Sequence, residues 1–388
     1  MTLKHALCAG AALVLAAPGP ALAEPDSPPV DLSGEVIVDL AAVLSGGNDH
    51  RARALTKIDV SADMDLARLT GWRGATARIT LLDNRGARPN DAAGTLQGVD
   101  NIEVARAGLR LFEAWIEQDL GKGASLRAGL YDTNSEFYNN PAAALLIAPP
   151  FGIGSELAAT GPNGPSIFPS TALAARLFVP LDGDGHYVRL GVVNARASTL
   201  GDPGGIDLSF RDGLLLIGET GRKSGRWRWS LGGWHYTRDP DDFADTLPDG
   251  TPVRRPSFGG YATLEGELAT AGPRAVSAFL RVGLSAPYTT PYSGGVQTGV
   301  LVSPAFTGRP DSQFSLGVHH AWTGSRFRSA LRAGGGVPAN ETVVELTYAD
   351  TLLPALTLQP DLQWIHKPGG DAAARDAVLG TVRLTWGF

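Results

Sequence analysis

Cysteine is almost absent from this sequence. The single cysteine among 388 residues, Cys8, lies in an N-terminal segment with the three features of a secretory signal peptide. Lys4 provides the positive start, residues 6–17 form the apolar run, and Ala-Leu-Ala at 21–23 forms the cleavage site. We therefore predict a signal peptide at residues 1–23 and a mature chain without disulfides. Such an exported chain must be stabilised by a large regular structure.

Long hydrophobic runs are also missing. After the signal peptide no stretch of about 18 apolar residues occurs, which excludes helical membrane spans. Hydrophobic residues nevertheless make up 43% of the chain, and its mean hydropathy is −0.02. These values fit a transmembrane β-barrel, because its strands alternate lipid-facing apolar with lumen-facing polar residues. The formal net charge is −6 and no basic tract occurs, so nucleic acid is not an expected partner.

Motifs of catalytic and metal sites are lacking as well. The seven histidines include no H-E-x-x-H motif, and the adjacent His319 and His320 would point to opposite faces of a strand. The Gly-x-Gly at 152–154 lacks the third glycine of a dinucleotide site, and Asp-Gly-Asp-Gly at 182–185 is better explained as a turn than as a calcium loop. We predict no enzyme activity, cofactor or metal. An outer-membrane hydrolase stays as an alternative, although no spacing singles out a Ser/His triad.

The sequence instead contains many short segments of alternating polarity. In the clearest of them, residues 57–66, Ile58, Val60 and Ala62 alternate with Asp59 and Ser61. This period of two indicates β-strands with one apolar face. Sixteen segments qualify, at 35–44, 57–66, 75–82, 110–118, 124–132, 173–179, 186–194, 213–219, 226–236, 261–268, 276–284, 295–302, 313–322, 341–348, 356–366 and 377–388.

The connections between these segments alternate between short and long. Short turns at one rim and long loops at the other are typical of outer-membrane barrels. The sequence thus predicts an all-β fold: a transmembrane antiparallel β-barrel of about 16 strands at residues 34–388, after an N-terminal segment at 24–33. Its outer surface would contact outer-membrane lipid. The last strand ends in Phe388, which resembles the sorting signal read by the outer-membrane assembly machinery, an expected partner.

The longest interruption of the strand pattern is at residues 134–170. It contains an apolar stretch at 142–148, the pair Pro149-Pro150 and several glycines. A loop of this length inside a compact domain is usually functional. We expect this third extracellular loop to fold into the lumen and narrow it, with residues 142–148 packed against the barrel wall.

Several stretches resemble one known family, the carbohydrate-selective porins of the OprB type. They are residues 96–103 (LQGVDNIE), 110–118, 132–137, 161–169, 202–205, 358–365 with 368–370, and the final Phe388. The resemblance extends in order over nearly the whole mature chain. It implies a sixteen-stranded barrel in the outer membrane of a Gram-negative bacterium, an inward third loop, and facilitated diffusion of monosaccharides or small oligosaccharides into the periplasm. A general porin without sugar preference and a soluble secreted lectin also stay open as functions.

Strand parity also predicts which side chains line the lumen. A neutral sugar requires donors, acceptors and a flat apolar face; arginine donates, carboxylates accept, and Trp115 or Tyr131 could stack. The alternative is that these charges only pair with each other and hydrate the wall. A register slip of one residue would reverse the assignment. The candidate pore-lining and sugar-binding residues on the strands are Arg78, Glu113, Trp115, Glu117, Arg127, Tyr131, Arg176 and Arg189. Asn134, Glu136 and Glu156 of the long loop are further candidates that could point toward the constriction, although such side chains often satisfy the backbone of their own loop.

Overall fold

Sixteen antiparallel strands form one closed barrel in the computed structural model, which describes residues 28–388. Two further strands, β10 and β11, form a separate hairpin in one long loop. The predicted signal peptide lies outside the described residues. In chain order the strands are β1 (Val30–Ser45), β2 (Arg53–Asp65), β3 (Ala75–Gly86), β4 (Gly108–Gly121), β5 (Ala124–Tyr131), β6 (Ala172–Pro180), β7 (His186–Asn194), β8 (Leu214–Ser224), β9 (Trp227–Tyr236), β10 (Asp241–Thr246), β11 (Pro252–Arg254), β12 (Phe258–Ala271), β13 (Arg274–Ser285), β14 (Tyr292–Ser303), β15 (Gln313–Thr323), β16 (Glu341–Leu353), β17 (Leu356–His366) and β18 (Ala377–Gly387).

The two faces of the barrel wall follow the alternation read from the sequence. On β5, Leu126 is 42% exposed on the outer face, whereas its neighbour Arg127 is buried on the inner face. Leu190 on β7 and Leu264 on β12 are likewise outside. This is the arrangement that a bilayer requires, because lipid cannot solvate charged side chains. The predicted all-β barrel fold is confirmed.

Loop lengths differ sharply between the two rims. One rim carries tight turns, such as residues 122–123 between β4 and β5, and also both ends of the barrel chain. The other rim carries all the longest connections, including 87–107, 132–171 and 195–213, here called L2, L3 and L4. By the usual construction of these barrels the tight turns face the periplasm and the long loops face outward.

Four short helices lie in the connections. They are α1 (Leu66–Thr70), α2 (Pro89–Ala93), α3 (Ser155–Ala158) and α4 (Ser325–Ala333). None of the helices within residues 28–388 is long and apolar enough to cross a membrane. The strand predicted at 57–66 ends one residue earlier, because the Asp65 carboxylate accepts bonds from the Ala67 and Arg68 amides and starts α1.

The barrel is closed by its first and last strands. The backbone amide of Gly34 donates to the Phe388 carbonyl over 2.9 Å, and that of Phe388 donates to the Gly34 carbonyl over 3.0 Å. The Phe388 side chain remains 60% exposed beside Trp386. No sheet edge is left along this seam, which is how a barrel avoids pairing with other chains.

Candidate functional site

L3 folds into the barrel and is bound there by a buried arginine on β13. Arg281, which is fully buried, donates to the carbonyls of Tyr138 over 3.1 Å and Gly152 over 3.0 Å, and also to that of Pro150. These carbonyls belong to distant parts of L3, so one guanidinium joins both arms of the loop to the wall. Unpaired backbone groups in a buried loop are costly, and a charged donor satisfies three of them at once.

Carboxylates on other strands bind the amides of L3. Glu345 on β16 accepts from the amides of Ile147 over 2.5 Å and Ala148 over 3.0 Å. Glu265 on β12 accepts from the Ala142 amide over 3.1 Å. The wall of β12, β13 and β16 therefore supplies both donors and acceptors to the loop backbone.

Apolar packing supports the same position of L3. Leu146 and Phe151 pack with Phe279 of β13 in one buried cluster that includes alanines of the 142–148 stretch. At Gly317 of β15 an added Cβ would lie only 2.5 Å from Leu146 and 2.6 Å from Phe151. A bare backbone at this position therefore lets the loop approach the wall closely.

Glu156 of L3 is the most deeply inserted acidic side chain of the loop. It is completely buried, and its Oε1 accepts from the Tyr138 hydroxyl over 2.6 Å. Its carboxylate lies where Gly283 has no side chain: an added Cβ would be 1.8 Å from Oε1. Burial raises the pKa of Glu156, against the lowering effects of the Tyr138 bond and of Arg281.

L2 also enters the lumen, which the sequence did not predict. The amides of Leu96 and Gln97 donate to Glu341 of β16 over 2.7 and 2.9 Å. The Asn101 amide donates to the Ile147 carbonyl over 2.9 Å, so L2 and L3 are bonded to each other. The two loops together form one partition across the barrel.

A polar cluster on the seam strands binds the inner end of L2. Arg383 of β18 pairs with Asp39 of β1 over 2.7 Å and donates to the Asn101 side chain over 2.8 Å. The carboxyl group of Asp100 lies 3.8 Å from Arg383. Burial, followed by the neighbouring Asp39, raises the pKa of Asp100 to about 8, although Arg383 opposes this shift.

The opposite part of the wall, on β4–β7, carries a network of ion pairs between side chains. Glu117 accepts from Arg127 over 2.6 Å and from Arg176 over 3.0 Å. Arg176 also pairs with Glu136 at the start of L3 over 2.7 Å. Arg189 donates to the Glu136 carbonyl over 2.5 Å. Each charge therefore has at least one fixed partner.

The indole of Trp115 lies at the edge of this network. The Arg127 guanidinium lies over its ring at 3.9 Å from the centroid, and that of Arg78 lies 5.9 Å away. Glu113 accepts from the indole nitrogen over 3.3 Å and from the Asp132 amide over 3.2 Å. Donors, an acceptor and an aromatic ring thus occupy one patch of the inner wall.

Comparison with known proteins identifies the family. A protein-family model described as "Carbohydrate-selective porin, OprB family" matches residues 49–388.

The chain belongs to this family.

Porin B of Pseudomonas aeruginosa is 23% identical over 397 residues, which cover 91% of this chain and 86% of that protein. The high-pH structure of Pseudomonas putida OprB superimposes with a TM-score of 0.81 at 20% identity, over 92% of this chain and 94% of that one. The outer-membrane channel DcaP of Acinetobacter baumannii has a TM-score of 0.56 at 12% identity, over 92% and 97% of the two chains. These likenesses show a shared fold.

Family membership decides between the functions left open by the sequence. The protein is a carbohydrate-selective outer-membrane porin, a channel and not an enzyme. The hypotheses of a general porin, a barrel hydrolase and a soluble lectin are therefore wrong. Among residues 28–388 no group of three or more His, Cys, Asp or Glu side chains could hold a metal ion.

The structure brings nine of the eleven candidate site residues of the porin into one contiguous cluster. Tyr131 belongs to it through its hydroxyl, which donates to Glu136, and its ring is covered by Arg127 at 5.0 Å. The remaining two, Asn134 and Glu156, bond within L3 rather than to the cluster. Asn134 donates to the carbonyls of Phe137 and Gly152, and Glu156 is buried against Gly283. The nine are Arg78, Glu113, Trp115, Glu117, Arg127, Tyr131, Glu136, Arg176 and Arg189.

Sequence reasoning missed the residues that hold the two loops. Arg281 and Glu345 stood out only as charges at inner-face positions of apolar strands. Their partners are backbone groups, which leave no trace in side-chain chemistry. A single charged residue on the inner face of such a strand was nevertheless a usable signal, because a buried charge requires a partner inside the lumen.

Proposed function

We propose that Arg78, Glu113, Trp115 and Arg127 form the patch that recognises the sugar in this porin. The observation that carries the proposal is the stacking of Arg127 on Trp115 at 3.9 Å, with Arg78 on the same ring system and Glu113 at its nitrogen. A sugar ring presents hydroxyls at its rim and C–H groups on its faces. The patch offers charged donors, a carboxylate acceptor and an aromatic edge within one short stretch of wall.

The other members of the cluster position this patch. Glu117 on the neighbouring strand binds the Arg127 guanidinium. Arg176 also binds Glu117, and Glu136 holds Arg176 in place. Guanidiniums bound in this way lose little further side-chain entropy when they bind hydroxyls. Tyr131, Arg189, Asn134 and Glu156 support the network and L3, and contact no ligand in this proposal.

The bonds available to one sugar are few, so binding is weak and reversible. A site of this kind speeds uptake down a gradient without energy or cofactor, and suits monosaccharides and small oligosaccharides. The partition formed by L2 and L3 would force each sugar past the patch.

Sugar block of ion current tests the patch directly. Purified porin in planar bilayers is titrated with glucose, comparing the parent with Arg127→Ala and Arg127→Lys. Loss of a buried, charge-assisted hydrogen bond should weaken block by about 1–3 kcal/mol in Arg127→Ala. Arg127→Lys keeps the positive charge but loses the forked guanidinium, so its half-blocking glucose concentration should lie between those of the parent and Arg127→Ala.

Arg228→Gln is the matched control, because Arg228 also lies on the inner wall and pairs with Glu265 over 3.1 Å. Its half-blocking glucose concentration should equal that of the parent. A purely structural Arg127 would change conductance or folding and leave the half-blocking concentration untouched. Equal values in all four proteins would refute the patch.

We also propose that the outer-membrane assembly machinery reads the exposed Phe388 at the barrel seam. Deleting Phe388 should reduce the amount of heat-modifiable, folded barrel in the membrane and leave the single-channel conductance of surviving molecules unchanged. Parental levels of folded barrel after the deletion would remove this role.

A further inference from the structure

We infer that the inner face of β2 forms a second sugar subsite beside the Trp115 patch. This subsite, here called the β2 lane, consists of Lys57, Asp59, Ser61 and Asp63, and it rests on the proposed function of the patch. All four side chains point inward on alternate residues of one strand. They are about 6.6 Å apart, so the lane is roughly 20 Å long.

Each group in the lane has a fixed partner, which lies on an adjacent strand or, for Asp59, on β2 itself. Lys57 lies 3.1 Å from Glu35 of β1 and 2.7 Å from Asp59. The hydroxyl of Ser61 is 2.9 Å from that of Thr80 on β3. These contacts hold donors and acceptors in alternation along the wall.

The lower end of the lane adjoins the sugar patch. Asp63 accepts two bonds from Arg78, each 2.7 Å long. Arg78 is also the residue that lies 5.9 Å from the Trp115 ring. A ligand on Trp115 that extends sideways along the wall therefore meets Asp63 first and Ser61 next.

Accessibility distinguishes the lane from the buried ion network. The side chains of Lys57 and Asp59 are each 21% exposed and that of Asp63 is 40% exposed, against 6% for Arg127 and 2% for Arg176. The start of L3 accounts for the burial of the network, because Glu136 pairs with Arg176 on β6 and its carbonyl accepts from Arg189 on β7. The side chains of the lane bond to residues of strands β1–β3 instead, and they stay more accessible to a ligand in the lumen.

The chemistry of the lane fits a neutral carbohydrate longer than one ring. Its charges nearly balance, since Lys57 and Arg78 offset most of the charge of the three carboxylates that pair with them. Carboxylate oxygens accept from sugar hydroxyls, and the ammonium and the serine hydroxyl donate to them. The patch would hold one sugar unit and the lane the following units of the same chain.

Comparing a monosaccharide with an oligosaccharide long enough to span the lane tests this division. Glucose and maltohexaose are titrated against the ion current of the parent, Lys57→Gln, Ser61→Ala and the control Arg228→Gln. In Lys57→Gln the half-blocking maltohexaose concentration should rise about three- to tenfold, and that of glucose by less than about twofold. Ser61→Ala, a milder change, should raise the maltohexaose value about twofold.

The outcomes separate the lane from the patch. Arg127→Ala should weaken block by both sugars; if it weakens neither, the patch is wrong. If Lys57→Gln and Ser61→Ala both match Arg228→Gln with maltohexaose, or weaken block by both sugars equally, the lane is wrong whatever Arg127→Ala does. Should Lys57→Gln fold poorly, Ser61→Ala decides, because it removes only one hydroxyl.

Discussion

The two sides of the barrel interior use buried charges differently. On β4–β7 the charges bind other side chains, as Arg127 and Arg176 do with Glu117. On β12, β13 and β16 they bind the backbone of L3, as Arg281 and Glu345 do. We call these the paired wall and the loop-docking wall.

The difference shows that the same charged residue types have two roles inside the barrel, depending on whether they bind loop backbone or other side chains. A guanidinium bound to carbonyls of a loop fixes the shape of the pore, and it is no longer available to a ligand. A guanidinium held by a carboxylate keeps other donors free, since Arg has five N–H groups. The paired wall can therefore contact sugar, while the loop-docking wall determines how much space the sugar has.

The strongest way to break this contrast is to remove the central residue of the loop-docking wall. Arg281→Ala leaves the buried carbonyls of Tyr138 and Pro150 without their donor, while that of Gly152 keeps its bond from Asn134, and the change should cost about 3 kcal/mol of stability. L3 should detach, so that single-channel conductance rises several-fold and sugar block is lost. Conductance recordings and thermal unfolding of the folded band measure both effects.

Arg228→Ala on the same side serves as control, because Glu265 still accepts the Ala142 amide through its other oxygen. A parental conductance in folded Arg281→Ala would show that Glu265, Glu345 and the apolar packing hold L3 without Arg281.

A smaller effect is expected where only the fit of L3 is disturbed. In Gly283→Ala the new methyl group would overlap Glu156 and the Tyr138 hydroxyl, at 1.8 and 2.5 Å. Overpacking of this kind costs about 1–3 kcal/mol and should displace Glu156, raising conductance modestly. The comparison is Gly218→Ala on the outer face, where the nearest atom of Leu190 is 3.4 Å away. Indistinguishable conductance of the two variants would argue against close contact between Glu156 and the wall.

The smallest expected effect is a pH dependence of L2. The pKa of Asp100 is about 8 in the folded protein, above its ordinary value of 3.8, so the inserted loop favours the protonated form. This contribution to loop docking is complete below the ordinary pKa and is lost as pH rises through about 8. Current noise from L2 should therefore increase as pH rises from about 4 to about 8, and change little above that.

Asp100→Asn should remove this increase, because an amide does not titrate. Asp91→Asn provides the matched control, since Asp91 belongs to the same loop but is well exposed. If Asp100→Asn keeps the parental pH profile, Asp100 does not control the position of L2.

The sequence predicted the strands of the barrel wall far better than the loops and contacts inside the lumen. Alternation on β2 or β5 is imposed by lipid on one side and water on the other, so the period of two survives without any knowledge of tertiary contacts. The short and long connections follow from the same constraint. Strand ends were less certain, as Leu66 shows, because a cap at Asp65 overrides the pattern.

The two inserted loops differ in how well the sequence predicted their insertion into the lumen. L3 was conspicuous through its length and its prolines, and its apolar stretch was expected to pack on the wall, as it does at Phe279. L2 is much shorter than L3, and its insertion depends on Glu341 and Arg383, more than 200 residues later in the chain. No local pattern reports such a contact. The sugar-binding role of the cluster around Trp115 stays a prediction.

The polar cluster that binds the inner end of L2 has a consequence for the order in which the protein assembles. Arg383 binds Asn101 and is itself held by Asp39, which is 344 residues away in sequence. Contacts across such a separation form late, because a long chain must first be brought together. The inner end of L2 therefore gains its anchor only when the last strand has joined the first. An unfinished barrel would hold L2 at Glu341 but leave Asn101 free, with a wider pore than that of the mature channel.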